Sequence, residues 1–157
     1  MLDYKKEYER WKKTDMPDFD LTRELQLMDG KEEEIKEHFA RALEFGTAGI
    51  RGTLGAGTNR MNIFVVRQTT EGLARYILEE GLKKKVAISY DSRLKGWTFA
   101  KEVSGVLAAN GISVRLYDAL MPVPALSFAT RYYGCSAGIM LTASHNPAIY
   151  NGYKVYG

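Results

Sequence analysis

Cysteine is nearly missing from this chain: Cys135 stands alone among 157 residues, so no disulfide can close within it and no thiolate metal cluster can be assembled from it. The single thiol reads as buried and inert. Long apolar runs are missing too. Runs such as 63–66 and 138–141 fall far short of the roughly 20 residues that a membrane-spanning helix needs. Residues 1–10 are charged and aromatic, without the apolar stretch and small-residue cleavage site of a secretory signal, so a cytoplasmic protein is expected. No strong charge excess exists either. The net charge is +3 with a pI near 8.9, and no basic stripe with interleaved aromatics marks a nucleic-acid surface. Internal repeats, low-complexity tracts and long linkers are absent.

What is present is ordinary for one soluble domain: 45% hydrophobic and 26% charged residues, enough to bury a core. The first third has helical periodicity. Tyr4, Tyr8 and Trp11 recur at i, i+4, i+7, as do Leu21, Leu25 and Met28, and Ile35, Phe39 and Leu43 continue the spacing after a charged run. Each segment offers one narrow apolar stripe for packing. Residues 45–57 then change character, with glycine at 46, 49, 52, 55 and 57, and cannot make a good helix. A sharp surface hairpin, or a nest of backbone N–H groups that binds an anion, would suit them.

Beyond this point strands and helices alternate. The pattern predicts helices near 62–80, 97–110 and 123–133, strands at 85–90, 112–117 and 137–142, and a last short strand at 152–156 introduced by an Asn151-Gly152 turn. Such alternation indicates right-handed crossovers and a three-layer α/β/α domain with a mixed, mostly parallel sheet, preceded by N-terminal helices. The last strand suits antiparallel pairing with its predecessor. We divide the chain into a helical extension, 1–44, and a domain, 45–157.

Ligands of open α/β sheets gather beyond the carboxyl ends of the parallel strands. Three sets of residues fall there: Asp91-Ser92-Arg93, Met121-Pro122-Val123-Pro124, and Thr142-Ala143-Ser144-His145-Asn146-Pro147. If the first and third strands are neighbours, Arg93 and Ser144 approach one another. The third set is a polar knot of small residues closed by a proline, and by composition alone such a knot is usually just a turn. A serine esterase using Ser144 with His145 is one alternative. Against it, the two are adjacent in sequence, no G-x-S-x-G elbow surrounds them, and His38 lies on an N-terminal helix. The glycines of 46–57 match neither nucleotide-loop pattern.

Residues 138–147, GIMLTASHNP, resemble the phosphoserine loop of the α-D-phosphohexomutases, and the T-A-S-H-N-P core is specific to that family. Residues 45–52 (FGTAGIRG), 90–93 (YDSR) and 151–156 (NGYKVY) resemble further family motifs in the family's order, so the likeness covers roughly 45–157. The N-terminal helices with 55–62 (GAGTNRMN) are similar to the branch that contains bacterial phosphoglucomutases and phosphoglucomutase/phosphopentomutases. The resemblance implies that Ser144 carries a phosphoryl group and exchanges it with a sugar monophosphate through glucose 1,6-bisphosphate, moving phosphate between C1 and C6. Phosphomannomutase or phosphopentomutase activity would be a sister reading.

The resemblance further implies Lys154 as general acid or base, with His145 as its rival. It implies that Thr47, Arg51, Arg93 and Asn146 bind phosphate or substrate, and that Mg²⁺ is reached through the Ser144 phosphate. Asp91 would orient Arg93 or the loop. The family's D-G-D-x-D-R loop, source of the other metal ligands, does not occur here. The chain therefore reads as a fragment, inactive alone, whose partners are sugar phosphates rather than nucleic acid or membrane. A non-catalytic phosphosugar-binding fragment is the alternative of another class. Oligomeric state is not legible.

Overall fold

In a computed structural model the described residues are 1–47 and 49–157. Three short helices come first, α1 (Tyr4–Lys13), α2 (Phe19–Leu27) and α3 (Glu32–Phe39). Asp3 and Asp18 cap the first two by accepting the Lys6 and Asp20 backbone N–H groups. Then follow β1 (Gly49–Thr53), α4 (Ile63–Glu79), β2 (Lys85–Tyr90), α5 (Gly96–Ala109), β3 (Ser113–Leu116), α6 (Val123–Tyr132), β4 (Ala137–Leu141) and β5 (Tyr150–Tyr156).

The five strands form one mixed sheet in the order β1-β5-β4-β2-β3. Strand β2 pairs parallel with β3 and β4, while β5 runs antiparallel to both β4 and β1. Four strands therefore share a direction and β5 alone opposes them, so the sheet is mixed with two parallel and two antiparallel pairings.

Alternation along the strands sorts the two faces. Val86, Ile88, Ile139 and Leu141 join a large core with Phe99, Val103 and Leu107 of α5, whereas Ala87 and Met140 pack on Leu126 and Ala129 of α6. Helices thus cover both faces, completing three layers.

The N-terminal helices enter the same core. Tyr8, Trp11, Leu25, Met28 and Phe39 cluster with Ile63, Val66 and Tyr153. Trp11 meets Phe39 and Phe64 edge-on, with ring centroids 5.4 and 5.1 Å apart. Truncating fully buried Phe39 to alanine would cost about 3–5 kcal/mol.

Several sequence expectations are corrected. Residues 49–53 of the glycine-rich stretch are a strand rather than a surface hairpin. Its glycine has a steric cause: a Cβ on Gly49 would collide with the Tyr153 backbone across the β1–β5 pair. Asn151 and Gly152 lie inside β5 instead of forming a turn before it. Leu43 lies outside α3, which ends at Phe39, and its side chain covers Gly52. Cys135 is only half-buried, with its thiol pKa pushed up by that burial.

Candidate active site

Register places the chemistry. Tyr90 of β2 faces Leu141 of β4 across a parallel pair, so Asp91 and Thr142 leave the sheet side by side at its carboxyl edge. Strand β5 begins at the same edge, since Tyr150 pairs with Thr53 at the end of β1. It then runs back so that Lys154 faces Met140. Two neighbouring loops and a returning strand therefore converge on Ser144.

The loop after β4 is held from within. Ala143 is fully buried, and Asn146 N–H donates to the Ala143 carbonyl at 3.1 Å. The Thr142 hydroxyl donates to Asp91 Oδ2 at 2.5 Å and accepts the Ser144 N–H at 3.1 Å. Ser144 sits in left-handed backbone with φ 55°, a conformation that costs a non-glycine residue about 1–2 kcal/mol and is maintained by these bonds. Gly152 must be glycine here: a Cβ would lie 2.5 Å from the Thr142 carbonyl oxygen and 2.8 Å from that of Ile50.

Ser144 is exposed at the tip of this loop, and Lys154 Nζ donates to its Oγ at 2.5 Å. The two side chains are within hydrogen-bond reach of one another. Lys154 lies on an interior strand, between β1 and β4, and not on a sheet edge. Arg51, on β1, donates Nη1 to Asn146 Oδ1 at 2.9 Å, joining a second cation and an amide to the loop. Neither Lys154 nor Arg51 forms an ion pair with a carboxylate among the described residues. Two uncompensated cations beside an exposed hydroxyl favour a bound anion.

Arg93 also reaches the loop, but through backbone. Nη2 donates to the Ser144 and Asn146 carbonyls at 2.7 Å each, and Nη1 to those of Pro147 and Tyr150 at 3.0 and 3.2 Å. His145 is exposed beside Ser144, and no hydrogen bond among the described residues joins their side chains. Met121 and Pro122 stay structural: Met121 N–H donates to Tyr90, and Pro122 precedes the first turn of α6.

Thr47 lies elsewhere. It lines an open, mainly apolar groove of about 1030 Å³ with Trp11, Phe45, Ile50, Phe64 and Tyr153, and no residue of the 142–147 loop lines that groove. Buried His38 meets the Ala56 carbonyl at 2.7 Å through Nδ1, which fixes the 54–62 segment to α3 and leaves no role for His38 at Ser144.

Sequence reasoning missed Thr142 as a partner of both Asp91 and Ser144. The signal was its place in the T-A-S run, one residue beyond a buried strand.

The site is thus an exposed serine at the carboxyl edge of a three-layer sheet, contacted by a lysine of β5, with an arginine of β1 bonded to the same loop. The chain belongs to the phosphoglucomutase/phosphomannomutase family, matching its alpha/beta/alpha domain I over residues 42–157. It is 46% identical over 125 residues to a phosphoglucomutase of Staphylococcus saprophyticus, covering 80% of this chain and 23% of that protein. To a phosphoglucomutase of Staphylococcus aureus it is 47% identical over 124 residues, covering 79% of this chain and 22% of that one. A crystal structure of a candidate phosphomannomutase from Thermus thermophilus superimposes with a TM-score of 0.67 at 36% identity, covering 73% of this chain and 25% of that one. This chain thus spans under a quarter of the length of its phosphoglucomutase relatives.

Proposed function

We propose that the full-length protein is a phosphoglucomutase, that Ser144 is its phosphoryl carrier, and that residues 1–44 extend a phosphoserine-bearing domain of 45–157. The observation that carries this reading is the contact of Lys154 Nζ with Ser144 Oγ beside Arg51. A serine phosphoester is stable in water and transfers once charge on its oxygens is neutralised. In the first half-reaction the Oγ–P bond breaks and a sugar O–P bond forms, giving glucose 1,6-bisphosphate. Lys154 delivers a proton to the departing Oγ, and His145, exposed beside it, is the candidate base for the sugar hydroxyl. In the second half the other sugar O–P bond breaks as an Oγ–P bond forms: Lys154 takes the Ser144 proton, and His145 returns its proton to the departing sugar oxygen. Arg51 and Asn146 hold the phosphoryl oxygens. Thr47 lines the separate groove and makes no contact with the phosphoryl group in this reading.

Mg²⁺ belongs to the expected chemistry, as a Lewis acid on the phosphoryl group. The described residues do not make such a site themselves: no three His, Cys, Asp or Glu side chains cluster to hold a metal, and Asp91 is engaged by Thr142 and Arg93. We assign this chain one ligand, the Ser144 phosphate, and the remainder to later domains.

No helix among the described residues is long and apolar enough to cross a membrane. We assign the protein to the cytoplasm, with sugar phosphates as its partners. A mannose-phosphate mutase is the second reading, favoured by the likeness to the Thermus structure.

Intact mass of the full-length protein before and after phosphatase, with peptide mapping, tests the carrier. One phosphate on Ser144 is expected, together with loss of glucose 1-phosphate conversion in Ser144→Ala. A phosphate mapped elsewhere, or turnover surviving in that variant, would overturn the assignment.

A further inference from the structure

Arginine beside a phosphoryl site is ordinarily read as an anion ligand, yet the Arg93 guanidinium is already occupied. A guanidinium has five N–H donors in a rigid fork. In this protein both terminal nitrogens donate to four carbonyls, of Ser144, Asn146, Pro147 and Tyr150, while Nε lies 3.6 Å from Asp91 Oδ2. The side chain is 12% exposed, so it lies under the loop rather than beside its open face. Asp91 in turn accepts from the Arg93 backbone N–H at 3.1 Å and from the Thr142 hydroxyl, and Thr142 holds the Ser144 N–H.

The two ends of the loop, Thr142 and Tyr150, are thereby tied to one partly buried ion pair. The four carbonyls point at a cation and could not do so if that cation turned away to a phosphate. Lysine cannot substitute, because a point charge with three donors cannot span four carbonyls across two edges of a planar fork.

Building on the proposed function, we infer that Arg93 is a positioning residue. Its guanidinium fixes the backbone of residues 144–150, aims the Ser144 hydroxyl at Lys154, and does not ligate the transferred phosphoryl group. Anion binding at the loop then falls to Lys154 and Arg51.

The test compares Arg93→Lys with Arg51→Lys in the full-length protein, by steady-state kinetics on glucose 1-phosphate and by amide hydrogen exchange on phosphatase-treated protein. For Arg93→Lys, kcat drops on the order of 100-fold through misplacement of the serine, with KM within about twofold of the unsubstituted value. Exchange of the 144–150 amides accelerates with no phosphate present, while amides of α4 and α5 keep their protection. Arg51→Lys, which loses one side-chain bond to Asn146 and no bond to a loop carbonyl, changes the exchange of the loop amides far less than Arg93→Lys does.

A tenfold or larger rise in KM for Arg93→Lys with unaltered loop exchange would make Arg93 a phosphate ligand and overturn the inference. If the unsubstituted protein lacks mutase activity, the proposed function fails, and loop exchange still decides whether Arg93 is the clamp. Should Arg93→Lys not fold, Asp91→Asn keeps the shape and weakens the same ion pair; unchanged loop exchange in that variant would count against the clamp.

Discussion

Replacing Thr142 by valine keeps the shape of a side chain that is 6% exposed and removes one oxygen. That oxygen makes two bonds, donating to the Asp91 carboxylate at 2.5 Å and accepting the Ser144 N–H at 3.1 Å. A bond to a charged group contributes about 1.5–3 kcal/mol and a neutral one about 0.5–1.5 kcal/mol. Their joint loss leaves a carboxylate oxygen and a backbone donor poorly satisfied. Local opening of the serine loop should become easier by about 2–4 kcal/mol, which is roughly 30- to 700-fold in the open population. Native-state hydrogen exchange reads this directly at the amides of Ser144 and Asn146. Thr142→Ser, which restores the hydroxyl, should return exchange to near the original rate. If Thr142→Val exchanges at the unsubstituted rate at Ser144, the hydroxyl does not hold the loop and the reasoning fails.

Other outcomes follow from the same geometry. Lys154→Met in the full-length protein should lower kcat by about 10²- to 10⁴-fold, and retention of kcat in steady-state assays would remove Lys154 from proton transfer. Gly152→Ala, whose Cβ meets two backbone carbonyls, should destabilise by about 1–3 kcal/mol in urea titrations; an unchanged midpoint would show that β1 and the loop yield freely. The Tyr8 hydroxyl donates to the Leu25 carbonyl at 2.8 Å, and burial, ahead of nearby Asp29, pushes its pKa from 10.0 up to about 12. Because the folded value is the higher one, the contribution of Tyr8 to stability is complete below pH 10 and disappears as pH rises toward 12. Tyr8→Phe should flatten that alkaline loss in pH-dependent thermal melts, and an identical slope in both proteins would contradict the assignment.

The sheet was legible wherever apolar runs alternate with helical periods. Strands β2 to β4, the helices between them and the antiparallel sense of β5 against β4 all follow from residues 62–156. Strand β1 was not legible. Its glycines exist because the Tyr153 backbone approaches Gly49 and Leu43 covers Gly52, and close approach from a distant segment leaves no local pattern to read. Asn151-Gly152 misled for the same reason: glycine there answers the crowding of Thr142 and Ile50, whereas the dipeptide in isolation signals a turn. At the site, the approach of Arg93 to Ser144 could be anticipated from strand adjacency. The occupation of its donors by four carbonyls could not, since composition carries no information on how a loop turns its backbone.

The pairing of β1 with β5 joins residues 49–53 to residues 150–154, and this sets a timetable for the ribosome. At about 5–20 residues per second, the early strand waits on the order of ten seconds for its mate, with both edges bare and Ile50 unsheltered. During that interval a nascent chain is most open to capture by a neighbour, and chaperone demand should peak there. The same pairing of β5 with β4 and β1 carries Lys154 to Ser144, so the reactive centre cannot form before β5 has joined the sheet.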